Sequence, residues 1–366
     1  MRARSPRACR SLVERAVNAL RHGLLCARSV LWRSSLAMLL LAPVQAAAQE
    51  RTRLMVYTSF DKAYLETLKQ AAEAAVPSIE IVWVQDSPGM IAARIIAERP
   101  RPQADMIWGV SAFSLVALDV LDLLEPYSPT GAYGLRQAFR NPTQPVTWQG
   151  ITGYAAVICF NPAVADSKGL PKPTLWRALV NPAYRGQIIM PNPASSTAGF
   201  VAVAGWISAM TEGRAWDFMQ RLHSNVQSYS QQGTAPCDAA ARGEVAIGIS
   251  FDLHAAALKS KGAPIDIIVP TDGVGFDAEG VAVVRSTIRR ASAIALFNFA
   301  SSQAAMELYG RWYGLLGMPN VPVQVPDYPA EVPEFLVQQD FRSVALRRQT
   351  LLREWTDRFG RKLPIR

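Results

Sequence analysis

The sequence predicts an α/β fold of two lobes joined by two strand crossings. Strand-like apolar runs alternate with segments of helical spacing over most of the chain, the signature of a mostly parallel sheet flanked by helices. One set of runs ends near Trp108, a second begins near Tyr154, and a strand from Gly280 leads back to the first. With 366 residues the chain is long enough for two bodies of ordinary size. It carries no internal repeat and no low-complexity segment after its leader.

The leader comes first. Arg2, Arg4, Arg7, Arg10, Arg15, Arg21, Arg28 and Arg33 precede the apolar run Leu36 to Pro43, and Ala46-Ala47-Ala48 follows it. This is the pattern of an export signal, 1–48, cut after Ala48 with Ala46 as the alternative. The run is too short to anchor in a bilayer, and no Cys follows it to take a lipid. An Arg-rich, acid-poor leader also suits a mitochondrial presequence, but the alanine cut site after a compact apolar core favours secretion. Eight arginines against Glu14 give the leader +7 of the formal net charge of +9, so the body is nearly neutral. A general polyanion partner such as nucleic acid loses its support.

The first lobe is expected over 49–155. Leu54 to Tyr57, Ile79 to Val84 and Ala104 to Gly109 read as strands, followed by a helix over Asp61 to Ala75, the loop Asp86 to Gly89 with a helix through Glu98, and a helix from Ser111. The second lobe, 156–279, is entered along the strand Tyr154 to Phe160 and adds strands at Gln187 to Met190, Val245 to Ser250 and Ile265 to Val269. Residues 280–366 return through Gly280 to Val284 and end in a helix over Leu346 to Phe359.

Loops after parallel strands face the cleft in such folds. Here they carry Ser59, Asp61, Ser87, Gly89, Trp108, Ser111, Asn192 to Gly199, Ser250 to Asp252, and Gly275 to Glu279. The most telling is Met190 to Phe200. A strand is broken by two prolines and Asn192, and Ser195, Ser196 and Thr197 then fall where a helix begins. Free N–H groups at a helix start, backed by hydroxyls, suit an anion; Ser and Thr are also ordinary N-caps.

These segments resemble the solute-binding proteins of ABC importers, in the group that includes ferric, polyamine and phosphonate binders. Those for 2-aminoethylphosphonate are the most similar. The resemblance rests on Ala104 to Gly109, Ile158-Cys159-Phe160-Asn161, Lys168 to Pro173, Tyr184 to Ser196, Ile247 to Phe251 and Gly262 to Ile267, in one order. It implies a type II periplasmic-binding-protein-like fold, a periplasmic monomer without cofactor, capture of a small molecule by hinge closure, and an ABC permease as partner. The chain departs from the pattern after Ser250-Phe251, where Asp252-Leu253-His254 replaces Glu-Tyr-Arg, and at Phe276, where Trp is common.

The ligand so implied has a phosphonate at one end and an ammonium at the other. Asn192, Ser195, Ser196 and Thr197 are expected to hold the phosphonate, with Ser87, Gly89 and Ser111 completing the grip from the first lobe. Asp252, at the family's acidic position, is expected at the ammonium, with Asp277 and Glu279 as second choices; capping of the following helix is the other reading of Asp252, and Asp61 reads as a helix cap. Trp108 and Tyr154, more than Tyr57 and Phe251, are expected to wall the cleft. Cys159 and Cys237 form an even pair that can bridge in an oxidising compartment or stay as two buried thiols. His223 and His254 show no metal spacing, and no metal is expected. A secreted phosphonate enzyme finds no Gly-x-Ser-x-Gly elbow and no phosphate loop. A ferric carrier would want adjacent tyrosines near Ser250, and a polyamine carrier has no use for the Ser195 to Thr197 hydroxyls.

Overall fold

A computed structural model describes residues 50–127, 129, 134–141 and 144–362. The expected export signal and its cut after Ala48 lie outside these residues. Strand β1 (Thr52–Thr58) leads to helix α1 (Lys62–Ala75), capped by the Asp61 carboxylate, which accepts from the Ala63 amide at 2.8 Å. Leu65, Leu68 and Ala72 put the buried face of α1 at helical spacing. Strand β2 (Ile79–Gln85), helix α2 (Pro88–Ala97), strand β3 (Met106–Ser111) and helix α3 (Ala112–Val120) follow.

Strand β4 (Gln149–Phe160) begins five residues before the expected Tyr154 and is the longest of the strands described. Beyond it come α4 (Pro162–Ser167), β5 (Ile188–Pro191), α5 (Thr197–Ala209), α6 (Glu212–Asn225) and β6 (Val226–Ser230). Then follow α7 (Ala235–Ala241), β7 (Ile247–Phe251), α8 (Asp252–Ser260) and β8 (Asp266–Ile268). The chain returns on β9 (Phe276–Val283) to α9 (Arg290–Ala300), α10 (Gln303–Tyr309) and β10 (Leu315–Leu316), and closes with α11 (Phe341–Phe359).

The strands run in the order β2-β1-β3-β9-β4-β7-β5-β6, with β8 and β10 also on β4. The sheet is mixed where a mostly parallel one was expected. β1 runs parallel to β2 and β3, and β5 to β6 and β7, but β4 and β9 lie antiparallel to every partner they have. The cause is the crossing itself, since β4 leaves one half of the molecule and β9 comes back. Gln149 to Ala155 of β4 pair with β9, and Ala156 to Phe160 pair with β7. β6, which the sequence reading did not find, is a short Val-Gln-Ser-Tyr-Ser run with its polar residues interleaved.

Two buried clusters hold the molecule. One gathers Leu54, Val56, Phe60, Trp108, Leu296 and Tyr309 between the sheet and α1, α9 and α10. The larger runs from α3 through Phe200, Trp206 and Trp216 to Trp355 of α11. Helix α5 reaches β9 because neither side has a side chain where they touch: a Cβ on Gly205 would fall 2.3 Å from the Gly275 Cα. Cys159 of β4 and Cys237 of α7, both buried, are joined by a disulfide with Cα atoms 5.4 Å apart. Helix α11 starts at Phe341, five residues before the expected Leu346, because Asp340 caps it by accepting from the Ser343 amide at 2.9 Å. No helix among the described residues is long and apolar enough to cross a membrane.

Candidate ligand site

Asp277 and Glu279 are on strand β9, not in the loop the sequence reading placed over Gly275 to Glu279. The alternation Phe276, Ala278, Gly280 against Asp277, Glu279 is a strand's period of two, so both carboxylates point to one face. Register sets Tyr154 opposite Asp277, Thr152 opposite Glu279, and Ser111 of β3 opposite Glu279. The Ser111 hydroxyl donates to Asp277 Oδ2, and the Tyr154 hydroxyl donates to the same oxygen at 3.0 Å. Thr152 donates to Glu279 Oε2 at 2.8 Å, and the Tyr313 hydroxyl is close enough to Glu279 to lower its pKa.

These acids have donors but no ion-pair partner among the described residues; the positive charge acting on Asp277 is that of the Arg348 guanidinium, which lowers its pKa. Among the described residues no Lys or Arg forms an ion pair with either. Asp277 is wholly buried and its Oδ1 has no hydrogen-bond partner. Burial pushes the Asp277 carboxyl up to about 7, against the opposing hydrogen bonds from Ser111 and Tyr154. Burial likewise pushes Glu279 up to about 7, helped by repulsion from Asp277 and opposed by Thr152. Burial and the same two carboxylates hold the Tyr154 proton on well above the usual phenol range. A positive or hydrogen-bond-donating group is what the unpartnered Asp277 Oδ1 and the Glu279 carboxylate can answer.

The start of α5 forms the other end. Asn192 Oδ1 accepts from the Ala194 amide at 2.9 Å, and the Ser196 amide donates to the Asn192 carbonyl at 2.9 Å, which turns the chain into the helix. Ser196 stands at the N-cap position, buried, yet its hydroxyl makes no capping bond. Ser195 donates to the Gln231 carbonyl at 3.2 Å, and Thr197 is exposed.

The two ends are neighbours. A Cβ on Gly233 would fall 2.9 Å from Ser196 Oγ and 3.0 Å from the Phe251 ring. Ser250 holds that loop by donating to the Gly233 carbonyl at 2.6 Å. Phe251 meets Tyr154 edge-on at 4.9 Å, and Tyr154 reaches Asp277. On the far side Phe113, in the first turn of α3, meets Phe200, in the first turn of α5, at 5.2 Å. The starts of α3 and α5 thus lie together, near the buried Asp277 and the half-buried Glu279.

Several expected residues are elsewhere. Trp108 is a correction: it is fully buried among Trp83 and Phe299, and its indole N–H already donates to Tyr309 at 2.7 Å. Its position on β3 turns it into the core under α9 and α10, not towards the acids. Tyr57 is also core, donating to Glu98 at 2.8 Å. Asp252 is a second correction. It is wholly buried at the first residue of α8, with its oxygens taken by the Tyr328 hydroxyl at 2.7 Å and the Leu253 amide at 2.8 Å. Burial raises it to about 6, and with both oxygens already engaged and no exposed surface it offers nothing to a ligand ammonium. Ser87 and Gly89 are exposed at the start of α2, and no hydrogen bond joins them to the Asp277 group among the described residues. His254 pairs with Asp238 at 2.8 Å.

Thr152, Tyr313 and Gly233 were not singled out in the sequence; alternation along β4 could have found Thr152, whereas Tyr313 needs the fold. A cavity of about 560 Å³ lined by Val116, Trp148, Gln339 and Phe341 lies between α3 and the start of α11, and neither Asp277 nor Ser196 borders it.

Residues 104–342 match the family model of the bacterial extracellular solute-binding proteins. The chain belongs to that family. Its relatives include an uncharacterised protein of Haemophilus influenzae, 29% identical over 272 residues, which make 72% of this chain and 77% of that one. A probable ABC transporter periplasmic-binding protein, y4fP of Sinorhizobium fredii, is 25% identical over 272 residues, 72% and 73% of the two chains. Among solved structures, the periplasmic binding protein AfuA of Actinobacillus pleuropneumoniae, with fructose-6-phosphate bound, is 25% identical with a TM-score of 0.69, covering 85% of this chain and 99% of that one. The type II fold expected of such solute-binding proteins is the fold this chain has. As a member of the family, this solute-binding protein takes a small ligand and works with an ABC-type importer.

Proposed function

We propose that this solute-binding protein captures a small zwitterion bearing phosphonate and ammonium, of which 2-aminoethylphosphonate is the simplest, and hands it to an ABC permease. One observation carries the reading. Two carboxylates without an ion-pair partner, buried Asp277 and half-buried Glu279, are joined through Tyr154 and Phe251 to a helix start whose Ser196 hydroxyl is uncommitted. An ammonium answers the acids, and the hydroxyls and N–H groups of Ser195, Ser196 and Thr197 answer the phosphonate, with Ser111 and Asn192 at its margins. The protein is secreted to the periplasm after cleavage near Ala48, acts as a monomer, and binds without turnover. The halves divide at 155/156 on β4 and 279/280 on β9, and the ligand closes them about these crossings.

A second reading is favoured by the likeness to AfuA, whose structure holds fructose-6-phosphate. Sugar hydroxyls can donate to Asp277 and Glu279 as an ammonium does. Ferric iron is less well served, because the tyrosines beside the acids hold their protons more tightly than usual. A polyamine leaves the start of α5 without a role.

Calorimetry of protein beginning at Gln49 separates these readings, using 2-aminoethylphosphonate, fructose-6-phosphate, spermidine and ferric citrate. Tightest binding of aminoethylphosphonate supports the zwitterion; tightest binding of the sugar phosphate transfers the site to the second reading. A response to spermidine or iron alone discards both. Release of inorganic phosphate from either phosphorus compound would mark an enzyme.

A further inference from the structure

We infer that Arg348, on the C-terminal helix, is the residue that selects a doubly charged phosphonate or phosphate at this site. The inference rests on the anionic end of the ligand proposed above. It begins with a residue out of place. Helix α11 buries Phe341, Val344, Leu351, Trp355 and Phe359 on one stripe. Arg348 falls in the middle of that stripe, seven after Phe341 and seven before Trp355, where an apolar side chain belongs. A half-buried guanidinium there is costly unless something answers its charge.

Among the described residues nothing does so by direct contact. The other arginines of the helix have acceptors: Arg342 pairs with Asp119, Arg347 with Glu212 and Arg358 with Glu354, while Arg353 donates to Thr350. Among the described residues Arg348 has neither an ion pair nor a hydrogen bond. Its guanidinium instead lies over the Phe200 ring, 4.9 Å from the centroid. Phe200 is three residues into α5, so the residue whose ring the charge covers is roughly 4.5 Å along the helix axis from Thr197, in the first turn with its free N–H groups.

Across Phe200 lies Phe113, in the first turn of α3. The guanidinium is therefore held by an aromatic face beside two helix starts, with all five N–H donors uncommitted. Its field also reaches Asp277. An arginine so placed supplies the full positive charge that hydroxyls and helix N–H groups lack, and its planar fork suits two phosphonate oxygens. A sulfonate, with one charge, gains less from it than a phosphonate with up to two. Arg348 lies beyond residue 342, where the family match ends.

The test compares two ligands of the same skeleton, 2-aminoethylphosphonate and 2-aminoethanesulfonate, by calorimetry on protein beginning at Gln49. Fructose-6-phosphate is run alongside. Wild type, Arg348→Gln, Arg348→Lys and the control Arg353→Gln are measured, with thermal melts to confirm folding. Arg348→Gln should lose about 10- to 100-fold in affinity for the phosphonate and most of the preference for it over the sulfonate. Arg348→Lys should recover part of both, and Arg353→Gln should match wild type. If Arg348→Gln keeps the wild-type affinity and preference, the inference is overturned while the proposed function stands. If it weakens both ligands equally, Arg348 only supports the fold, and the inference again fails. Should Arg348→Gln not fold, Arg348→Met takes its place, and unchanged affinity and preference in that variant overturn the inference as well. A wild type that binds neither phosphorus compound removes the proposed function itself, and this inference with it.

Discussion

Asp277 and Glu279 hold protons in the folded protein that they would lose in the unfolded chain, because burial disfavours their charged forms. A carboxyl with a raised folded pKa favours the folded state most at low pH, and that contribution is lost as pH rises from about 4 to about 7. The slope is at most about 1.4 kcal/mol per pH unit for each group. Asp277→Asn should therefore flatten the fall in melting temperature of the unliganded protein across this window. The same variant removes a charge that an ammonium would meet, so its affinity for aminoethylphosphonate should drop about 10- to 100-fold. Equal slopes for variant and wild type would mean that Asp277 is ionised in the unliganded protein. Gly233 tests the other end: Gly233→Ala would bring a methyl 2.9 Å from Ser196 Oγ and 3.0 Å from Phe251. Calorimetry should show weaker ligand binding with a melting temperature lowered by only a few degrees, since the Ser196 hydroxyl can turn away. At this scale the sequence was a partial guide. Ser196, Asp277 and Glu279 could be singled out because hydroxyls and acids stood after strands, but only the fold says that Asp252 is occupied by Tyr328 and that Trp108 donates to Tyr309.

Helix α5 depends on a close approach that no propensity scale records. The Gly205 Cβ position is filled by Gly275, whose own Cβ position is 2.3 Å from the Val201 carbonyl oxygen. Gly205→Ala would force two backbones apart, a strain of about 1–3 kcal/mol, which urea unfolding would read as a lower midpoint at unchanged slope. The displaced α5 would carry Ser196 with it, so binding should weaken too. Wild-type stability in Gly205→Ala would mean the helix and β9 can slide without cost. Most elements were legible because apolar runs and caps agree, as at Asp61 and α1. β6 was not, because Val226-Gln-Ser-Tyr-Ser has polar residues at alternate and adjacent places and borrows its stability from pairing with β5. The mixed direction of the sheet was equally hidden, since direction depends on where β4 and β9 find partners and not on their composition.

Helix α11 ties α3 to α6 and β6, outside the crossing strands β4 and β9. Arg342 binds Asp119 of α3, whereas Arg347 binds Glu212 of α6 and Trp355 meets Tyr229 of β6 edge-on at 4.9 Å. The arginine ends of these ion pairs are open to solvent, so each pair contributes little and can be remade if the elements move. β4 and β9, by contrast, are continuous hydrogen-bonded strands that can bend but not part. The expected motion is therefore a rotation about the Ala155/Ala156 step of β4 and the start of β9, with the starts of α3 and α5 closing on the ligand. Ligand at a thousand times its dissociation constant adds about 4 kcal/mol to the closed, bound form. X-ray scattering should then show a smaller radius of gyration with aminoethylphosphonate than without, and Asp277→Asn should need more ligand to reach the same compaction. A radius unchanged at saturating ligand would mean that the unliganded halves are already closed, leaving the crossings without a hinge function.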